Sequence, residues 1–317
     1  VLIHLDTDLG GDPDDACALA MLLGWRDVQL AAVTTTIDPG GLRAGCTEHL
    51  LRLARRTDVP VIAGAAKSLT RPETVQPATS DARYWPPGMR PHPASPGAAL
   101  DALQRSIDLG AVVVAIGPYT NLAVLELLRP GALAHAAVVV MGGWVDPPEA
   151  GLPDWGPERD WNVQWDTQAA RIVLAAAGDL TLVTLPATLA ATLRARDLPR
   201  LRASGPLGRL LAQQGEARAA DADMPELGKA FRQLPDDLLN FHYDPVTCAV
   251  ALGWPGATRT ARRLRPVLVG DVLHCRPDEN GRQCTVVTTV DGDAFAEIWL
   301  RAVEAADAAA PDSGTGH

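Results

Sequence analysis

The first twenty-three residues, VLIHLDTDLGGDPDDACALAMLL, constrain the fold more than any other stretch. Val1, Leu2, Ile3 and Leu5 have the composition of a short buried strand, and from Asp14 onward Ala16, Leu19, Ala20 and Leu23 recur at helical spacing. Between strand and helix lies a glycine-rich turn, and the acids Asp6, Asp8, Asp12, Asp14 and Asp15 cross it, at the point where open α/β sheets place their ligands. Gly10 and Gly11 permit backbone angles that a side chain forbids, and Pro13 fixes one φ just before the helix. Capping a helix takes one carboxylate. Five within ten residues repel one another unless a positive charge sits among them, and converging hard oxygen ligands suit Ca²⁺ or Mg²⁺. The turn is therefore read as a divalent-cation site.

The rest of the chain repeats the strand-to-helix order. VQLAAVTTTI, VPVIAG, AVVVAIG, AHAAVVVMGG and LTLVTLP read as strands, and helical patterns run over 42–56, 98–108 and 166–176 and within GPYTNLAVLELL. The near-continuous apolar strands are of the parallel kind that is covered on both sides. Residues 196–242 read as mostly helical, LRPVLVGDVLHC and GRQCTVVTTV as antiparallel pairs, and a last helix follows. The expected fold is a single open α/β domain over 1–309, with a predominantly parallel Rossmann-like sheet, helices on both faces and some antiparallel strands near the C-terminus, followed by a polar tail at 310–317. The segment 66–96 holds seven prolines and the pair Tyr84-Trp85, and a loop of that length inside a compact domain is expected to be functional.

Composition narrows the partners. A formal charge of −10 without a Lys/Arg cluster argues against a nucleic-acid surface. No window reaches eighteen apolar residues and no basic leader precedes the first apolar run, so neither a membrane span nor a signal peptide is expected. Five cysteines without CxxC spacing read as buried free thiols of a reducing, cytoplasmic compartment.

DTDLGGDPDDACAL resembles the signature D-T-D-P-G-x-D-D-A of the inosine-uridine-preferring nucleoside hydrolases, and GPYTNLA, VVVMGG, DWNVQWDTQAA and YDPVTCAVA match further motifs of that family in the same order. The resemblance implies a single open α/β domain that hydrolyses the N-glycosidic bond of ribonucleosides with a tightly held Ca²⁺, in assemblies that are usually dimers or tetramers. Residue by residue, it implies metal ligation by Asp8, by both oxygens of Asp15, by the backbone carbonyl of Thr120 and by Asp244. Sugar binding is implied for Asn162, for Asp160 where the family usually has glutamate, and for Met141 beneath the ribose. Where the family has a TVxGN-like turn this chain reads TTTIDPGG, which leaves Asp38 as the polar replacement.

The acidic turn is two residues longer than the family's, so the general base is Asp12 counted from the left and Asp14 counted from the right. Asp14 is preferred, because it keeps the DD pair at the helix start. Some relatives carry a histidine before the distal aspartate to protonate the leaving base; here that slot holds Tyr243, with His242 one residue earlier. Trp85, Trp144, Trp155, Trp161 and Trp165 concentrate in two loops expected to rim the mouth, which suggests stacking of a purine or another bicyclic base, with Trp85 and Trp161 as the leading contacts. Two other readings compete. A nucleoside- or sugar-binding protein without turnover would keep the metal and lose the base, and an aspartate-nucleophile phosphohydrolase would use Asp6-Thr7-Asp8 with Mg²⁺.

Overall fold

The computed structural model describes residues 1–71, 73–74 and 81–308. The chain opens with β1 (Leu2–Thr7), α1 (Asp14–Gly24), β2 (Gln29–Thr35), α2 (Leu42–Leu53), β3 (Val61–Ala63) and α3 (Ala98–Asp108). It continues through β4 (Val112–Ala115), α4 (Thr120–Leu128), β5 (Ala137–Met141), the short α5 (Trp161–Trp165), α6 (Thr167–Ala176), β6 (Asp179–Val183) and α7 (Leu185–Thr188). Then come β7 (Thr192–Arg194), α8 (Leu198–Ser204), α9 (Pro206–Asp221), α10 (Met224–Ala230), β8 (Leu238–Phe241) and α11 (Tyr243–Ala251). The last elements are β9 (Ala257–Val269), β10 (Val272–Pro277), β11 (Arg282–Val290) and α12 (Gly292–Ala308).

One nine-stranded sheet has the order β10-β9-β11-β6-β5-β4-β1-β2-β3. Every pair from β11 through β6 to β3 is parallel, and β9 pairs antiparallel with both β10 and β11. This is the expected open sheet with an antiparallel C-terminal edge. A second sheet, β7 with β8, was not anticipated; its strands are three and four residues long, too short to carry a periodic signal. The chain leaves β1 for β2 on one side, and β4 enters on the other, so the strand order reverses between β1 and β4. Such a switch point opens a crevice at the carboxyl ends of its strands, and the acidic turn after β1 and the 117–120 turn after β4 both lie there.

The packing that holds the acidic turn is close. Residues 14–23 of α1 are buried all round, and the helix packs on α11 and α12. A Cβ at Gly24 would lie 1.8 Å from the carbonyl oxygen of Ala302, so only glycine lets α1 end against α12. Trp299 ties the two helices again by donating from Nε1 to the Cys17 carbonyl at 3.1 Å. All five cysteines are buried and free, as expected.

The proline-rich segment forms neither helix nor strand among its described residues. It is nonetheless pinned: Leu69 and Thr70 bond Asp166, Arg83 and Tyr84 bond Asp221 on α9, and the His92 amide donates to the Gly41 carbonyl. Residues 72 and 75–80 of that segment, and the tail expected at 310–317, lie outside the described residues. Among the described residues no helix is long and apolar enough to cross a membrane.

Candidate active site

At the switch point a cavity of about 790 Å³ opens, with acids at its base and aromatic and basic residues along its walls. β1 ends in a turn that carries Asp8, and α1 begins with Asp14 and Asp15. Asp244 sits in the first turn of α11, opposite them. Carboxylate oxygens of Asp14, Asp15 and Asp244 come within 4.8 Å of one another, and all three residues are buried. Among the described residues none of the three has an ion-pair partner within 4.0 Å. Burial first, and then the repulsion of neighbouring carboxylates, raises the pKa of Asp14, Asp15 and Asp244 well above the ordinary range. Anions held together at that cost fit a hard cation.

Asp8 stands beside this trio. Its Oδ2 accepts from Trp161 Nε1 at 3.3 Å, and a Cβ at Gly117 would lie 2.6 Å from its Oδ1, so the glycine of the 117–120 turn makes room for the carboxylate. Thr7 donates to Asp15 and fixes its rotamer. Asp12 lines the cavity beside Asp14 but is tied to other elements: Oδ1 accepts from Asn240 Nδ2 at 3.0 Å, and Oδ2 lies 3.1 Å from Arg218 Nη2. The two added residues of the turn thus produce a loop latched to α9 and β8. Only Asp14 of the two candidate bases lies within the acid trio.

The sugar-binding candidates Met141, Asp160 and Asn162 all line the cavity. Asn162 Nδ2 donates to the carbonyls of Ile116 and Met141 at 3.0 and 3.2 Å, which leaves Oδ1 to meet a ligand hydroxyl. Asp160 caps α5, accepting from the amides of Val163 at 3.1 Å and Gly143 at 2.6 Å. Burial pushes its pKa up to about 6 against those bonds. Tyr243 also faces the cavity, and burial holds its phenol well above the usual range, so it is a neutral hydroxyl. Trp161, 55% exposed, stacks on Trp165 with centroids 4.3 Å apart, and both rings line the mouth.

Four candidates fall elsewhere. His242 is buried with its ring 4.4 Å from that of Trp299, and among the described residues neither of its nitrogens has a partner; burial pushes its pKa down to about 3, so it is a neutral imidazole, and it does not line the cavity where a leaving base would sit. Asp38 is buried outside the cavity, where it accepts from Thr35 Oγ1 and from the amides of Arg43 and Ala44, closing the start of α2. Trp85 is 4% exposed and is not a cavity wall; its ring covers Gly10, where a Cβ would lie 2.4 Å from Cη2, so it clamps the proline-rich segment onto the acidic turn. Thr120, whose backbone carbonyl was the implied ligand, is fully buried and is not among the residues that line the cavity; its side chain donates from Oγ1 to Asp166 at 2.7 Å. Asp6, the nucleophile of the phosphohydrolase reading, is fully buried and bonded to Thr34 and Asn121, away from the cavity, which removes that reading.

The cavity also contains residues that the sequence reading passed over. Arg43, the second residue of α2, donates to the carbonyls of Asp8, Gly10 and Ile37 and so shapes the acidic turn through its backbone. Its signal was its place at the start of α2, after the altered TTTIDPGG turn. Arg71, Arg159 and Arg218 also line the walls, and no sequence spacing links them; Trp155, expected at the mouth, lines it with Trp161 and Trp165.

A family model described as inosine-uridine preferring nucleoside hydrolase matches residues 3–297. The chain is 32% identical over 214 residues to the pyrimidine-specific ribonucleoside hydrolase RihA of Enterobacter sp. (strain 638), a match that covers 64% of this chain and 66% of the relative. It is 28% identical over 221 residues to the enzyme of the same name from Salmonella agona (strain SL483), covering 67% and 69%. Among solved structures, a plant nucleoside hydrolase, PpNRh1, superposes with a TM-score of 0.77 at 21% identity over 96% of this chain and 98% of its own. A purine-preferring ribonucleoside hydrolase from Gardnerella vaginalis gives 0.76 at 20% identity over 98% and 100%. These two likenesses speak to the fold. The match over residues 3–297, together with the acid trio at the switch point, places the chain in the inosine-uridine preferring nucleoside hydrolase family.

Proposed function

We propose that this chain is a Ca²⁺-dependent N-ribosyl hydrolase that converts a ribonucleoside to ribose and free base. The observation that carries the reading is the trio Asp14, Asp15 and Asp244, buried, mutually repelling and without an ion-pair partner among the described residues. Asp15 and Asp244, with Asp8 beside them, would hold the ion. A bound Ca²⁺ supplies a positive centre that acidifies a neighbouring water and orders the sugar hydroxyls.

The chain's own residues do the rest. Asp14 takes the proton of the attacking water as its oxygen closes on the anomeric carbon. Cleavage leaves positive charge on the sugar, and the surrounding carboxylates are already in place to stabilise it. Asn162 and Asp160 orient the ribose, and Met141 gives an apolar floor. With His242 withdrawn, the leaving base meets the Tyr243 hydroxyl and the stacked Trp161 and Trp165. That aromatic wall, in a cavity of about 790 Å³, favours a bicyclic base such as a purine. The curated relatives named as pyrimidine-specific support a second reading, in which uridine or cytidine is preferred.

Following ribose release from inosine and uridine by the calcium-loaded protein tests both levels. Release from either supports the hydrolase, and the ratio of kcat/KM values decides the base. Tight binding of both nucleosides with no ribose formed would replace the enzyme with the binding protein.

A further inference from the structure

Four arginines line the cavity of a chain whose net charge is −10, and two of them have no work in the chemistry described above. Arg43 is committed to backbone carbonyls and Arg218 to Asp12. Arg71 and Arg159 differ: among the described residues neither guanidinium has a carboxylate within 4.0 Å. Each instead lies over a tryptophan of the cavity wall, Arg71 at 4.7 Å from the Trp165 centroid and Arg159 at 5.1 Å from that of Trp155. Glu158, adjacent to Arg159 and on the same wall, accepts from the Gly156 amide at 3.2 Å rather than pairing with it. A guanidinium laid on an indole has its plane fixed while its N–H edges stay free, which suits it to grip an oxyanion.

Asp8 bonds Trp161, Trp161 stacks on Trp165 at 4.3 Å, and Arg71 lies over Trp165. Asp8 and Arg71 are thus linked through one aromatic pair, and both line the same cavity as the acid trio and Arg159. A volume of about 790 Å³ lies in the upper part of the range for small-molecule sites, roughly 300–1,000 Å³.

Resting on the hydrolase reading above, we infer that the preferred substrate is a phosphorylated N-riboside, a ribonucleoside monophosphate, whose phosphate is held by Arg71 and Arg159 while its glycosidic bond lies at the acid trio. A tetrahedral phosphate offers oxygens in several directions and accepts from two arginines on separate segments, as a planar carboxylate does less well. The reaction is otherwise unchanged. The C1′–N bond breaks, the water oxygen bonds C1′ while Asp14 takes one water proton, that proton passes on to the departed base, and the products are ribose phosphate and free base.

The test compares inosine 5′-monophosphate with inosine for kcat/KM. In parallel, isothermal titration of the calcium-loaded protein compares ribose 5-phosphate, ribose and inorganic phosphate. Expected are an advantage of about tenfold or more for the phosphorylated partner in both experiments, weakened by salt, and its fall toward parity in Arg71→Gln, Arg159→Gln and the double variant. Parity in the parent, an advantage that survives the double substitution, or inorganic phosphate binding as tightly as ribose 5-phosphate would overturn the inference. Cleavage of inosine with no phosphate preference would overturn it and leave the hydrolase standing. Arginine-dependent binding of ribose 5-phosphate without cleavage of any riboside would keep the phosphate subsite and remove the hydrolase.

Discussion

Substituting Asp14 and Asp12 separately by asparagine distinguishes the base from the latch. Asp14 is 7% exposed and sits among Asp15 and Asp244, so the amide keeps the shape while removing the group that accepts the water proton. Loss of a positioned base costs about 10²- to 10⁴-fold in kcat, or roughly 3–5 kcal/mol of barrier. Removing one of three crowded anions should also raise the melting temperature of the calcium-free protein, since burial and repulsion already oppose its charge. Asp12→Asn loses the attraction to Arg218 in a pair that is about a third exposed, with side chains 36% and 32% accessible, and relieves the repulsion between Asp12 and Asp14, while its Oδ1 still accepts from Asn240. Such a pair contributes at most about 1 kcal/mol, so kcat should fall by no more than about fivefold. The assay is release of 4-nitrophenol from 4-nitrophenyl riboside at saturating Ca²⁺, a leaving group that needs no protonation, with calcium binding followed by titration calorimetry. A larger kcat loss in Asp12→Asn than in Asp14→Asn, with calcium bound in both, would refute the assignment.

Other outcomes follow from the same geometry. Asp244→Asn should weaken calcium binding about tenfold or more, measured calorimetrically, because a charged oxygen leaves the trio; unchanged affinity would remove Asp244 from the ion site. Trp161→Ala should lower kcat/KM for inosine about three- to tenfold more than for uridine, and an equal loss would argue against stacking. Asn121→Ala leaves Asp6, the Thr35 carbonyl and the Ala65 amide without its bonds of 2.7, 2.9 and 2.8 Å, so urea unfolding should show a loss of about 3–5 kcal/mol; less than about 1 kcal/mol would contradict the network. His4 is buried between Ser106 and Thr34, and burial pushes its pKa down to about 3. Its depressed folded value means that the unfolded chain binds the extra proton first, so the contribution of His4 to stability is fully present above pH 6.5 and is lost as the pH drops toward 3. The His4 share is about 2 kcal/mol between pH 7 and pH 5, and a His4→Asn variant with the same pH slope would rule this out.

Much of the fold was legible because its signals are local. β1, the acidic turn and α1 are one contiguous stretch, and β4 and β5 are apolar runs that only a doubly covered sheet accommodates. The acid trio was legible in its members: Asp14 and Asp15 by their place at a helix start, Asp244 by its motif. What it lacked was depth, the direction in which a side chain lies relative to the cavity. His242 and Tyr243 are neighbours in sequence, yet the turn into α11 aims Tyr243 at the cavity and His242 at Trp299. Trp85 and Trp161 share an aromatic ring and a loop setting, but one covers a glycine and the other a ligand space. Asp38, polar at an altered turn, reads in sequence as a sugar contact, whereas three donors of α2 and β2 claim it. The four arginines come from separate segments, so only folding assembles them.

If the acid trio holds a cation that cleavage needs, turnover must follow the metal. Ribose release from inosine and uridine should be measured with one preparation as isolated, after chelation and after calcium is returned. Release should disappear on chelation and recover on addition of Ca²⁺ in the parent, but not in Asp244→Asn at the same calcium concentration. Undiminished turnover by the chelated parent, or no ribose from the calcium-loaded parent, would contradict it.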